Sequence, residues 1–134
     1  GITDAGLVAS KFAEKKMSPD KIISSTATRT KNTADIFLEK LKIDSNLLQL
    51  HKELYDFVGE ELIEVIKNTD AKTNTLMVFC HNFAITNFVN NFGDQYIENV
   101  PTSGLVIIDF YIESWNYIKK GQTSLIIFPR DLRP

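Results

Sequence analysis

Residues 75–80 read TLMVFC and residues 81–86 read HNFAIT, and the change of pattern between the two decides the fold. The first is a largely apolar run of the kind buried on both faces of a parallel sheet. In the second, Ile85 opens a stripe that continues through Phe88, Val89 and Phe92 at helical spacing. A strand at the centre of a sheet is therefore expected to end near Cys80, with His81 and Asn82 at the junction to a helix. The same strand-then-helix unit stands upstream. Residues 21–25 read as a short strand, and Ala34, Phe37, Leu38 and Leu41 form the i, i+3, i+4, i+7 stripe of the helix behind it.

Working outward, Ala5, Val8, Ala9, Phe12 and Ala13 predict a first helix, capped by Thr3 and closed by a proline turn over residues 17–20. An extended piece is expected around residues 47–50. Val58, Leu62, Val65 and Ile66 mark a third helix. The last third changes character: residues 105–112 and 124–128 look like two strands, joined through 113–123 with a turn near Gly121. Alternating β and α elements predict an α/β three-layer sandwich, a mostly parallel open sheet with helices on both faces. Ligands of such sheets collect outside the carboxyl ends of the strands, so the loops after Ile23 and Cys80 are where function belongs.

The 134 residues amount to one domain, and 43% hydrophobic with 24% charged residues permits a packed core. Fifteen Lys and Arg against seventeen Asp and Glu give a net charge of -2, so no broad positive field draws nucleic acid or acidic lipid. No apolar stretch approaches the ~20 residues that span a bilayer. Cys80 stands alone and forms no internal disulfide, and His51 and His81 lie far apart without spaced carboxylates. The expectations are a reducing, cytoplasmic setting, no metal and no cofactor, and no nucleic-acid or membrane partner.

Arg29 is the only arginine outside the C-terminal tail, where Arg130 and Arg133 lie. It sits in SSTATRTKNTA (24–34), and its fork of donors suits a phosphate or carboxylate held at two points better than lysine does. A surface arginine paired with a local carboxylate fits the loop equally well. Ser25, Thr26 and Thr28 are explained as readily by helix capping. His81 opens a helix, where backbone donors and the dipole favour a bound anion, and a histidine there can donate to a phosphoryl group. A half-buried histidine satisfied by backbone partners is the plainer reading. His51 lies in the polar stretch HKELYD and reads as solvated. Glu53 is the one carboxylate nominated as a proton donor, a solvated loop carboxylate being the plainer reading. Glu60, Glu61 and Glu64, like Lys31, Glu39, Lys40 and Lys42, read as wet helix faces, and Phe37, Phe88 and Phe92 as core.

Three of these segments, in order, resemble the histidine phosphatase superfamily, most closely its small bacterial branch of SixA-like phosphohistidine phosphatases. ITDAG (2–6) is similar to the family's Leu-Thr-x-x-Gly helix start. SSTATRTKNTA is similar to Ser-Ser-x-x-x-Arg-x-x-x-Thr-Ala, which matches Arg29 to the second phosphate-binding arginine. VFCHNFAIT (78–86) resembles the strand that ends in the second active-site histidine, which puts His81 in that role and Asn82 beside it. KELYD, PTSGLVIIDF and FPRDL extend the resemblance over essentially the whole chain. Cys80 and Phe83 stand where glycine and proline are common in the family.

The resemblance implies a phosphatase without metal that removes phosphate from a phosphohistidine or a small phosphoester through a covalent phosphohistidine. Arg29 and His81 would bind the equatorial oxygens, with Ser25 and Asn82 as further phosphate contacts and Glu53 as the acid. The family's nucleophilic histidine lies in an Arg-His-Gly motif at the end of a first strand, and the sequence here starts after that point; neither His51 nor His81 matches it. A single domain, residues 1–134, lacking that strand is therefore expected, with unpaired backbone and apolar surface where the strand belongs. A phosphomonoesterase or mutase of the same superfamily, and a non-catalytic module that binds phospho-ligands, are the rival readings.

Overall fold

The computed structural model describes residues 3–56 and 58–133, so Ile2 of the ITDAG start lies outside the described residues. Strands β1 (Lys21–Ser25), β2 (Leu48–His51) and β3 (Leu76–Phe79) form a parallel sheet in the order β2-β1-β3. Strands β4 (Leu105–Asp109) and β5 (Gln122–Ile127) form a separate antiparallel pair. Four helices accompany them: α1 (Asp4–Ala13), α2 (Thr28–Leu41), α3 (Glu60–Lys67) and α4 (Asn82–Phe92).

The layers follow from the alternation of side chains along a strand. Ile22 of β1 packs with Ala5, Val8, Ala9 and Phe12 of α1 and with Phe37 and Leu38 of α2. Its neighbour Ile23 faces the other way, onto Leu62 and Ile66 of α3 and Ala84 of α4. Phe37 is 2% exposed and meets Phe79 of β3 edge-on at 5.4 Å. The first cluster also takes in Ile127 of β5, so α1 lies across both sheets. Thr3 caps α1 as its position foretold, Oγ1 accepting from Gly6 N at 3.0 Å.

Three expectations need correction. β3 is not central: among the described residues it pairs with β1 alone, and its other edge has no strand beside it. The fourth strand stops at Asp109 rather than at 112. Gly121 N–H donates to Phe92 O at 2.7 Å rather than to β4, so the ladder ends at Asp109 opposite Gln122 and no described strand pairs with 110–112; β5 itself spans Gln122–Ile127, two residues earlier at its start than expected. The third helix starts at Glu60, leaving Val58 outside it and half exposed.

The cause of that late start is a turn built on Asp56 and Gly59. The Asp56 carboxylate accepts from Val58 N, Gly59 N and Glu61 N at 3.2, 3.0 and 2.9 Å. Gly59 adopts φ 102°, the left-handed region that other residues avoid, and a Cβ there would press on Ala84 Cβ at 3.2 Å. The turn therefore seats α3 against α4 at that point. The Glu61 N–H, with those of Val58, Gly59 and Glu60, holds the Asp56 carboxyl below its ordinary value. A depressed folded-state pKa adds stability above the unfolded value near ~3.9 and loses it as pH falls below. Asp56→Ala is thus expected to melt lower than the parent at pH 7 and to converge with it near pH 2, as read by thermal unfolding. An equal deficit at both pH values would show that the charge is not what matters.

Candidate functional site

All three strands of the first sheet run the same way, so their carboxyl ends share one edge, and the register fixes which loops meet there. Ser25 lies opposite His51, and Ser24 opposite Phe79, so the ends of β2, β1 and β3 stand side by side. The nominated residues Ser25, Arg29, Glu53, His81 and Asn82 all follow or end one of these strands.

Ser24 and Ser25 are fully buried at the end of β1. Ser25 Oγ accepts from Ala27 N at 3.2 Å and Ser24 Oγ donates to Ser25 O at 2.9 Å, which shapes the turn into α2. That turn puts Ala27 at the N-cap with no side-chain cap, and no acidic residue stands in the first turn of α2. Arg29 lies in this first turn and is exposed. Of the three arginines, Arg133 grips Asp4 through Nε at 3.1 Å and Nη2 at 2.7 Å, and Arg130 lies over the Phe128 ring at 4.9 Å. Among the described residues the Arg29 guanidinium has no carboxylate partner. The local ion pair that would have explained it is not made.

His81 is the N-cap of α4, two residues beyond β3, with extended backbone and no cap bond from its side chain. Its Nε2 is buried with no hydrogen-bond partner among the described residues. Leaving such a group unsatisfied costs ~1–3 kcal/mol, which a ligand oxygen would recover. Tyr55 packs its ring edge-to-face against the imidazole, centroids 5.2 Å apart, and fixes its plane. Asn82 Nδ2 donates to Thr102 Oγ1 at 2.9 Å, tying the start of α4 to the loop before β4. The first turn of α4 also carries no acid. Two helices thus begin at this edge without side-chain caps, whereas α1 has Thr3 and α3 has Asp56. Backbone donors left without acid at a helix start favour an anion there.

Glu53 is exposed in the short turn after β2, its Oε2 3.9 Å from His51 Nδ1. His51 is half-buried beside Ser25 rather than fully solvated. Sequence reasoning passed over Tyr55, Asp56 and Thr102. Tyr55 and Asp56 stand in KELYD and Thr102 in PTSG, segments quoted for their resemblance but given no part in the site. Among the described residues no group of His, Cys, Asp and Glu gathers as metal ligands.

Cys80 lies between β3 and His81, buried at 7% exposure. Desolvation, aided by the nearby Asp56 charge, pushes its thiol up to about 12. Since the thiolate is the reactive form, Cys80 is inert at neutral pH. Iodoacetamide at pH 8 is expected to leave the native protein unmodified and to label it once in guanidinium chloride, by intact mass; rapid labelling of the folded protein would contradict the burial.

No protein-family model and no curated protein matches this sequence. Solved structures do. The SixA structure from Agrobacterium tumefaciens superposes with a TM-score of 0.73 at 20% identity, over 95% of this chain and 79% of that one. The protein histidine phosphatase SixA complexed with tungstate gives 0.68 at 15%, over 96% and 81%. The SixA structure from Nakamurella multipartitia gives 0.69 at 16%, over 93% and 80%. The histidine phosphatase fold is therefore the fold of this chain, with its parallel sheet between helical layers. No helix of the described residues is long and apolar enough to cross a membrane.

Proposed function

We propose that this chain of histidine phosphatase fold belongs to a phosphatase that removes the phosphoryl group from a phosphohistidine, with a small phosphoester as the second substrate class. One observation carries the reading: a buried His81 Nε2 with no hydrogen-bond partner among the described residues, at the uncapped start of α4, shares the sheet edge with an arginine that pairs with no described carboxylate. Tungstate is a tetrahedral oxyanion like phosphate, and a neighbour of the same fold was solved with it.

In this reading Arg29 binds two equatorial oxygens through its fork and His81 a third, as charge grows on them. Asn82 and Ser25 border the site, and Glu53 is the candidate acid. Neither His51 nor His81 is assigned the part of the attacking histidine. The charge is met by arginine, imidazole and backbone donors, so no metal is required. A bacterial, cytoplasmic setting belongs to the same reading, where the lone buried thiol of Cys80 stays reduced.

The test uses the natural protein. It should hydrolyse a phosphohistidine peptide and para-nitrophenyl phosphate at rates that EDTA leaves unchanged, with tungstate as competitive inhibitor. Tungstate raising the melting temperature without any turnover would favour a non-catalytic phospho-ligand module. Neither effect would sink both.

A further inference from the structure

Asn82, Thr86 and Asn90 stand four residues apart on α4 and so share one face of the helix. Each of them holds part of the chain between α4 and β4. Asn90 bonds Ile97 twice, Nδ2 donating to the carbonyl and Oδ1 accepting from the N–H, both at 2.8 Å. Thr86 Oγ1 accepts from Val100 N at 3.0 Å and donates to Asn82 O at 2.8 Å. Asn82 Nδ2 donates to Thr102 Oγ1 at 2.9 Å. Residues 97–102 therefore run back along α4 toward its first turn, anchored also by Ile97 and Val100, which are buried in one cluster with Val89 and Phe128. A segment without regular structure is normally mobile, and three polar ties with two buried side chains hold this one in place.

The tie at Thr102 differs from the other two. Both ends of the Asn90 amide and both roles of the Thr86 hydroxyl are engaged. Thr102 Oγ1 accepts, but its own O–H has no acceptor among the described residues, and Thr102 is exposed. The backbone presents it at the tip of a turn: Gly104 N donates to Pro101 O at 2.9 Å, which makes Thr102 and Ser103 the central residues. Ser103 there takes φ 67°, in the left-handed region that usually falls to glycine or asparagine at this point of a turn.

Direction places this hydroxyl. The Cα–Cβ bonds of a helix tilt toward its N-terminus, so Asn82, the first residue of α4, reaches out at that end. His81 stands there as the N-cap, with Nε2 buried and without a hydrogen-bond partner among the described residues.

We propose that Thr102 is a phosphoryl-binding hydroxyl of this site, and that Asn82 is its positioning residue rather than a phosphate contact. The inference rests on the phosphatase reading for the identity of the substrate. A hydroxyl has one hydrogen and two lone pairs. With a lone pair held by the Asn82 amide, the hydrogen is left for another acceptor, and accepting one bond strengthens the O–H as a donor to the next. A phosphoryl oxygen at the start of α4 is such an acceptor. The Asn82 amide already has a hydrogen engaged and carries an acceptor oxygen that an anion repels. Because the chain around Thr102 is tied down before any ligand arrives, the donor is preorganised.

A double-mutant cycle in the natural protein tests this. Thr102→Val keeps the shape and removes the hydroxyl. It should raise the dissociation constant of tungstate and lower kcat/KM for a phosphohistidine peptide, each by ~10–10²-fold, as expected for a hydrogen bond to a charged group. Thr102→Ser should restore most of both. Asn82→Ala should weaken both as well, yet add nothing to Thr102→Val in the double variant, since the amide works through the hydroxyl. Tungstate affinity and turnover unchanged in Thr102→Val, with only the melting temperature lowered, would overturn the proposal and leave a structural tie. Additive losses in the double variant would also overturn it, by making Asn82 a phosphate contact in its own right. Tungstate binding that weakens in Thr102→Val, in a protein that hydrolyses neither the peptide nor para-nitrophenyl phosphate, would uphold the hydroxyl and count against the phosphatase reading. A protein that shows neither tungstate binding nor turnover would overturn both.

Discussion

Arg29→Ala in the natural protein is expected to lower kcat/KM for a phosphohistidine peptide by ~10²–10³-fold, the usual cost of removing one preorganised donor from developing oxyanion charge. The geometry makes this substitution clean. The guanidinium is exposed and pairs with no described carboxylate, so its loss breaks no structural ion pair. What α2 takes from this residue is its backbone, whose carbonyl accepts from Thr33 Oγ1 at 3.2 Å, and alanine keeps that. The melting temperature should therefore stay with the parent while turnover and tungstate stabilisation both fall. Arg29→Lys retains the charge but not the two-point fork, and should recover only part of the rate. Unchanged turnover in Arg29→Ala would remove the arginine from the site and leave it a surface residue.

The legibility of the sequence differed by kind of signal. Where periodicity was strong the elements came out as read: β1 at 21–25, α2 on the Ala34, Phe37, Leu38 stripe, and α4 behind His81. Local capping chemistry was legible too, as Thr3 shows. The errors came where a distant backbone group decided the outcome. Val58 has the spacing of a helical residue, but Gly59 at positive φ and the Asp56 carboxylate delay the helix to Glu60. Residues 110–112 have the composition of a strand, but Gly121 gives its N–H to Phe92 and no described strand pairs with them. TLMVFC has the apolarity of a central strand, but among the described residues β3 pairs with β1 alone, because apolarity does not say on which side a partner strand stands.

The juxtaposition of the candidate residues was legible because parallel strands force their carboxyl ends together, so that naming the loops after β1 and β3 already named neighbours. Tyr55 and Thr102 were not legible in the same way. Each acts through one contact across the fold, the ring on His81 and the hydroxyl on Asn82, and no local pattern announces a contact of that kind.

His81 gives the other large effect, and here stability and activity should part company. If the imidazole were simply a satisfied core group, removing it would cost stability as well as any function. Among the described residues Nε2 is buried without a hydrogen-bond partner, so the free protein gains nothing there from that atom and bears its desolvation. The edge-to-face contact with Tyr55 works the other way, at ~0.5–1.5 kcal/mol. The two nearly offset, and His81→Ala should melt close to the parent. Its turnover, by contrast, should fall ~10²–10³-fold, because the donor recovers its cost only when a phosphoryl oxygen arrives. The rise in melting temperature that tungstate gives the parent should shrink with it, since a ligand stabilises in proportion to the logarithm of its concentration over its Kd. His81→Gln, which keeps an N–H donor at similar reach, should restore part of both. A histidine with a purely structural role would show the opposite pattern: a lower melting temperature for His81→Ala, an undiminished tungstate shift and near-normal turnover at temperatures where the variant is folded.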